Sequence, residues 1–119
     1  MDTERLLEFA EFIRGLRHTD LNESEGFNMS MYHRDCGAPS CIAGWAEFRY
    51  PIHSAFYHGG DTPSRAAAAL GMSVIDAQEL LFEPLCVAIG KYTDVTPERA
   101  ALAIERVAAG ETDVERVWA

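Results

Sequence analysis

Thiol and imidazole side chains gather in the first half of the chain, where they could hold a metal ion. His33, Cys36 and Cys41 lie within nine residues, and His53 and His58 follow. Zinc prefers such ligands, and His33, Cys36, Cys41 and His58 would complete a tetrahedral site. However, four residues separate the first two cysteines, no second close pair follows, and Cys41 is equally a small buried hydrophobe. We therefore predict no metal or cofactor. A zinc-stabilised regulatory or adaptor domain is the alternative.

Cys36 is also the best candidate for a nucleophile. It follows Arg34 by two residues, and a helix is predicted to start nearby at Pro39. A cation and a helix N-terminus both lower the pKa of a thiol and so favour the reactive thiolate. The sequence offers no identifiable oxyanion hole or orienting partner for such a thiol, and no glycine-rich phosphate loop. We therefore expect a protein that is not an enzyme, with a small Cys-dependent enzyme as the least favoured alternative.

The charge of the chain is strongly acidic and unevenly placed. The 119 residues include 19 acids and 10 Lys or Arg, for a formal net charge of -9. Residues 1–25 carry net -4 and residues 76–119 carry net -5, whereas residues 26–75 are neutral. A protein that binds nucleic-acid phosphates needs the opposite sign, so direct binding of DNA or RNA is disfavoured.

Length and composition fit one soluble domain spanning residues 1–119. Hydrophobic residues make up 48%, which is ordinary for a globular protein. No apolar run approaches the roughly 18 residues of a membrane span, and the acidic N-terminus differs from a signal peptide. We expect a cytoplasmic monomer.

Helical periodicity predicts a mainly α fold, a compact bundle of about five short helices. Leu6, Phe9, Ala10 and Ile13 recur at three- and four-residue spacing, which predicts a buried stripe on the first helix. The expected helices cover residues 4–17 after a Thr3 cap, 39–50 from Pro39, 64–70 after Thr62-Pro63, 74–82 after a Ser73 cap, and 97–109 after a Thr96 cap.

Three further segments have weaker patterns. Phe27, Met29 and Met31 alternate with polar neighbours, which predicts either a short strand or an extended segment near residues 27–32. Residues 85–90 are almost all apolar and are expected at the centre of the core. Val117 and Trp118 are expected to pack back on the core from the tail.

One block of the sequence resembles a known motif. Residues 36–46, Cys-Gly-Ala-Pro-Ser-Cys-Ile-Ala-Gly-Trp-Ala, resemble a Cys-Gly-Thr-x-Ala-Cys-Ile-x-Gly-Trp-Ala motif of small phage-, prophage- and plasmid-borne bacterial proteins of unknown function. Ala38 and Ser40 stand where that pattern has Thr and Ala. Residues 70–73 and 96–100 also look similar to later parts of those proteins. The resemblance implies a mobile-element setting and carries over no catalytic residues. Anti-CRISPR proteins are similar in size, charge and setting, but not in motif.

The leading functional hypothesis is a non-enzymatic inhibitor from a phage or mobile element, of the anti-CRISPR type. Its acidic surface would mimic nucleic acid and block a basic channel on a host defence complex, such as a CRISPR-Cas effector subunit. This hypothesis requires that the carboxylates form one coherent negative field and are not neutralised by neighbouring arginines. The predicted contact residues are Glu4, Glu8, Glu11, Glu98 and Glu105, followed by Asp76, Glu79 and Glu83.

Overall fold

The computed structural model describes residues 1–20, 26–30, 39–51 and 61–119, and over these residues the chain is mainly α-helical, as predicted. Two helices of 12 residues, α1 and α6, pack against each other along their length. Shorter helices surround them. The described helices are α1 (Thr3–Arg14), α2 (Ile42–Arg49), α3 (Thr62–Ala69), α4 (Val74–Ala77) continued by a π-helix (Gln78–Phe82), α5 (Cys86–Ile89), a 3-10 turn (Tyr92–Asp94), α6 (Pro97–Ala108) and α7 (Val114–Val117).

The buried stripe predicted on α1 is confirmed. Leu6, Phe9, Ala10 and Ile13 are fully buried, and α6 buries Ala100, Ala103, Ile104 and Val107 against them. Residues three and four apart lie on one face of a helix, so the two stripes meet as an apolar interface. The core therefore lies mainly between α1 and α6, and the shorter helices add to it.

Carboxylates, rather than threonines, cap α1 and α3. The backbone N–H of Arg5 donates to Asp2 Oδ1 at 3.0 Å, and that of Ser64 donates to Asp61 Oδ1 at 2.9 Å. The predicted Thr3 and Thr62 caps are therefore wrong by one residue. Aspartate is a stronger N-cap than threonine, and α1 begins one residue and α3 two residues before the predicted starts.

The other two predicted caps are confirmed. Ser73 Oγ accepts from the backbone N–H of Asp76 at 3.2 Å, and Thr96 Oγ1 accepts from that of Arg99 at 3.1 Å. Both side chains satisfy a backbone donor that the helix itself leaves unpaired. The starts of α4 and α6 are thus fixed by local sequence.

Asn28 joins three segments of chain and explains why α2 starts late. Its side chain donates to Thr19 O, and its backbone N–H donates to Ser40 O at 2.9 Å. Ser40 Oγ donates back to Asn28 O at 2.9 Å, which holds Ser40 outside any helix. The start predicted at Pro39 is wrong, because α2 begins at Ile42.

The extended segment predicted near residues 27–32 is present only in part. Phe27 forms an isolated parallel bridge with His18, and Met29 already lies in a turn. Asn28 is buried beside Phe27 and Met29, so the expected alternation of buried and exposed side chains fails over the described residues. Positions 31 and 32 lie outside those residues.

The apolar run 85–90 does not form the centre of the core. Leu85 is 64% exposed and Val87 is 84% exposed, whereas Ile89 is buried. Pro84 ends the preceding π-helix, and a separate short helix, α5, then turns one face to solvent. The tail behaves as predicted, since Val117 and Trp118 are buried.

Gly71 lets the N-terminus pass close to the end of α3. Its φ is +69°, a conformation that favours glycine, and a Cβ there would lie 2.9 Å from the backbone nitrogen of Asp2. That nitrogen donates to Leu70 O at 3.3 Å. The turn thus ties the start of the chain to the α3–α4 connection.

Candidate partner-binding surface

Arg14 gathers three of the predicted contact carboxylates where α1 meets α6. Its Nη2 lies 2.5 Å from a carboxylate oxygen of Glu105, its Nε lies 3.1 Å from one of Glu98, and its Nη1 pairs with Glu11. The hydrogen bond to Glu105, aided by the charges of all three carboxylates, raises the pKa of Arg14. One guanidinium thus offsets part of the negative charge of this surface.

Glu8 is also ion paired. The guanidinium of Arg49, from α2, donates from Nε to Glu8 at 3.0 Å and also pairs with it through Nη2. This hydrogen bond raises the pKa of Arg49, whose guanidinium also lies 4.3 Å from the ring centre of Phe12. Glu4, by contrast, is exposed and forms no ion pair with any described residue. Of the five carboxylates ranked first from sequence, four pair with arginines, and the pairs of Glu8, Glu98 and Glu105 join different helices.

A groove of about 240 Å³ lies where the turn after α3, the α4–π segment and the end of α6 meet. Its apolar lining comes from all three elements and from the chain start, through Met1, Met72, Leu80 and Val107. Val107 is buried, so the lining of the groove continues the core. Gly110, with φ +100°, follows the end of α6. The floor of the groove is therefore apolar.

Three carboxylates line the same groove. Asp76 and Glu79 come from the α4–π segment, and Glu111 follows α6. Glu111 Oε1 accepts from the backbone N–H groups of Thr112 and Asp113, each at 3.1 Å, and these bonds fix its position. Among the described residues that line the groove there is no Lys, Arg or His, although the lining residue Met1 carries an α-ammonium group. The groove therefore combines an apolar floor with negative charge.

Glu83 lies elsewhere than Asp76 and Glu79. It lines a larger hollow of about 490 Å³ beside Phe82, Leu85 and Tyr92. Burial raises the pKa of the Tyr92 phenol, which donates to Pro84 O at 2.6 Å. The eight predicted carboxylates are thus divided among the α1–α6 surface, the groove and this hollow, and arginines pair with four of them. They do not form the single negative field that the hypothesis from sequence requires, so only the groove carboxylates remain as its basis.

Sequence reasoning missed Glu111. The end of α6 at Ala109-Gly110 was readable from sequence, and Glu111 follows it directly. Nothing local in the sequence, however, places the end of α6 next to α4. The three-residue spacing of Asp76 and Glu79 was the available signal for the other two carboxylates.

Of the predicted alternative metal ligands, only Cys41 lies in the described part of the chain. It is buried at the start of α2, and burial raises the pKa of its thiol to about 11, against the opposing effect of the backbone N–H groups of Gly44 and Ala43. Within residues 1–20, 26–30, 39–51 and 61–119, no group of three or more His, Cys, Asp or Glu side chains could hold a metal ion. His33, Cys36 and His58 lie outside these ranges, as does the predicted thiol nucleophile.

None of the helices in the described ranges is both long enough and apolar enough to cross a bilayer. Comparison of the chain with protein-family models, curated proteins and solved structures finds no match.

Proposed function

We propose that the chain is a non-enzymatic protein that binds a partner carrying a basic, nucleic-acid-binding surface. The observation that carries this proposal is the groove, whose three carboxylates form no ion pair with any described residue. The formal net charge of -9 supports it, because charge complementarity speeds encounter with a basic surface and selects the partner.

The contact surface we propose differs from the ranking made from sequence. Asp76 and Glu79 take precedence over the ion-paired carboxylates of α1 and α6, Glu111 joins them, and Glu4 stays a predicted contact. To bind a partner's cation, the paired carboxylates of α1 and α6 would have to give up Arg14 or Arg49. The loss of those ion pairs would offset most of the binding free energy gained from the new one. A carboxylate without a cation has no such competing interaction.

The specific form of the proposal is an inhibitor from a phage or mobile element, of the anti-CRISPR type, in the bacterial cytoplasm. The support for it is the small size, the acidic charge and the resemblance of residues 36–46 to proteins of mobile elements. Its mechanism would be to occupy a channel built to hold nucleic acid. The carboxylates would then stand in for phosphates.

Affinity capture from bacterial lysate tests the general proposal. The immobilised chain is compared with the Asp76→Asn, Glu79→Gln, Glu111→Gln triple variant at about 50 mM and about 300 mM salt, which brackets strong and weak screening. We expect at least one nucleic-acid-binding protein that the wild type retains at low salt and that the triple variant and high salt both release. A protein set unchanged by both perturbations would contradict the proposal.

A DNA-binding assay tests the specific form. CRISPR effector complexes of several types are loaded with guide RNA, and binding of labelled target DNA is measured by gel shift as the chain is added. We expect one type to lose DNA binding in a salt-dependent manner. Full DNA binding by every type, alongside a captured partner of another kind, would overturn the anti-CRISPR form and leave the general proposal standing.

A further inference from the structure

We infer that α5 and the C-terminal tail form a latch, two short elements that open together while the rest of the fold stays closed. The latch consists of α5 (Cys86–Ile89) and residues 112–119, which include α7. The motion belongs to this chain alone and does not depend on a partner, so it goes beyond the proposed function.

Hydrogen bonds join the tail to the rest of the described fold through side chains. The backbone–backbone hydrogen bonds described for residues 112–119 all stay within the tail, such as the one from the N–H of Val117 to Asp113 O at 2.9 Å. The indole of Trp118 reaches outward and donates to Leu80 O at 2.7 Å. The tail can therefore detach without breaking the backbone hydrogen bonds of another element.

The end of α6 separates the tail from the helix before it. The N–H of Gly110 donates to Val107 O, and the N–H of Glu111 donates to Arg106 O, each at 3.0 Å. Gly110 has φ +100°, and this pair of bonds closes the last turn of α6 in a Schellman motif. Because these carbonyls are satisfied within the turn, the tail can leave without unravelling α6.

One guanidinium ties the tail to α5. Arg99, on α6, donates from Nη1 to Ile89 O at 2.8 Å, and from Nη2 to Ala88 O at 3.3 Å and Trp118 O at 3.0 Å. Its guanidinium carbon also lies 5.8 Å from the ring centre of Trp118, within the range of a cation–π interaction. Among the described helices, α5 has its largest contact with α7. We therefore expect that loss of the tail also releases α5.

α5 has little hold of its own on the core. Leu85 and Val87 are exposed, and Ile89 is buried. Segments with few buried apolar contacts open at a lower free energy than the core of a protein, and α1 and α6 form that core here. Opening the latch would add Ile89 and Trp118 to the apolar surface that Leu85 and Val87 already expose. The closed latch thus conceals an apolar surface.

Native-state hydrogen exchange followed by ¹⁵N NMR measures the opening of each element. The N–H of Gly90, which donates to Cys86 O at 2.7 Å, reports on α5, and the N–H of Val117 reports on the tail. The N–H of Ala10, in the middle of α1, reports on unfolding of the whole chain. Exchange is measured under conditions in which its rate follows the opening equilibrium.

Arg106→Gln perturbs the tail alone. Arg106 donates to Val117 O at 3.1 Å and to Ala119 O at 2.6 Å, and it makes no hydrogen bond to α5 among the described residues. If the two elements open together, exchange at Gly90 and Val117 should rise by the same factor, about tenfold, because hydrogen bonds from a charged donor are lost. Exchange at Ala10 should stay within about twofold of the wild type, since α1 keeps its packing.

Arg116→Gln is the matched control. Arg116 lies in the same tail and is exposed, and its described ion pair, at 4.0 Å, is with Asp113 of the tail itself. The substitution removes the same charge as Arg106→Gln without a contact to α6. We expect exchange at all three reporters to stay within about twofold of the wild type, because such surface pairs contribute little.

The three reporters distinguish the possible outcomes. Faster exchange at Val117 alone would show that the tail opens without α5 and would overturn the inference. Equal acceleration at Ala10 would mean that the whole chain unfolds, and unchanged exchange at every reporter would mean that Arg106 does not hold the tail closed; each result also overturns it. If Arg106→Gln does not fold, Arg106→Lys, which keeps a charged donor, provides the same comparison.

Discussion

The indole of Trp118 supplies a hydrogen bond that the α4–π segment cannot make for itself. Its Nε1–H donates to Leu80 O at 2.7 Å, and its ring is buried. In an α-helix, the carbonyl of residue 80 would accept from the N–H of residue 84, but that residue is Pro84, which has none. The donor in the π-helical register is the N–H of Leu85, and it makes no hydrogen bond to this carbonyl. We therefore predict that Trp118→Phe destabilises the fold more than its lost volume alone implies.

The expected loss in the free energy of unfolding follows from the hydrogen-bond donor that the carbonyl of Leu80 loses. Phenylalanine keeps an aromatic ring in the site but leaves the carbonyl of Leu80 without the indole donor, which costs about 1–3 kcal/mol. Removing the ring with Trp118→Ala costs about 3–5 kcal/mol, because a cavity is added. Against a typical total of about 5–15 kcal/mol, the alanine variant is expected to lose between about a fifth and all of its stability.

Urea unfolding followed by far-UV circular dichroism measures both variants without relying on tryptophan fluorescence. Trp45→Phe is the matched control, because its Nε1–H donates to Gly26 O at 3.1 Å from a partly exposed ring, where water can replace it. We expect the midpoint to fall further for Trp118→Phe than for Trp45→Phe at equal m-values. Equal stability losses in the two variants would refute the reasoning about Pro84.

Three further predictions concern other parts of the fold. Burial raises the pKa of the Cys41 thiol from 9.0 to about 11. The neutral thiol therefore contributes to the free energy of unfolding below pH 9, and this contribution, at most about 3 kcal/mol, is lost between pH 9 and 11. In urea titrations over this range, Cys41→Ala should lose less stability than the wild type does. Gly71→Ala should destabilise by about 1–2 kcal/mol or more, whereas Gly15→Ala, which has ordinary space and φ -80°, should be neutral or slightly stabilising in the same assay. Arg14→Gln should lower the melting temperature, and added salt should recover part of this loss by screening the freed carboxylates. The same variant should bind the partner as the wild type does. Tighter binding would show that the α1–α6 carboxylates are the contact surface.

The parts of the fold that sequence predicted are those with local causes. The stripe of α1 follows from helical spacing, and the caps at Ser73 and Thr96 follow from adjacent residues. The misplaced caps at Thr3 and Thr62 are local errors, in which a neighbouring aspartate was the stronger cap.

The parts that sequence did not predict depend on contacts far apart in the chain. Asn28 is buried with its amide nitrogen donating to Thr19 O and its backbone paired with Ser40, and hydrophobicity alone gives no sign of these distant partners. Residues 85–90 are apolar enough for a core, yet the sequence does not say that Pro84 would start a separate helix with an exposed face.

The candidate site shows the same division between local and distant causes. The pairing of Arg14 with Glu11 is visible at three-residue spacing, whereas Glu98 and Glu105 come from 84 and 91 residues away. The groove likewise needs the end of α6 to meet α4, so Glu111 joins Asp76 and Glu79 only in three dimensions. Charge composition predicted an acidic surface, but not which of its carboxylates arginines already occupy.

The salt dependence of binding to a purified partner tests the account most directly. Affinity is measured by isothermal titration calorimetry at several salt concentrations for the wild type and for the Asp76→Asn, Glu79→Gln, Glu111→Gln variant. The account predicts that wild-type affinity falls steeply with salt, and that the variant binds more weakly with a shallower dependence, because the groove carboxylates form the contact. Identical affinities and slopes for the two proteins would contradict it.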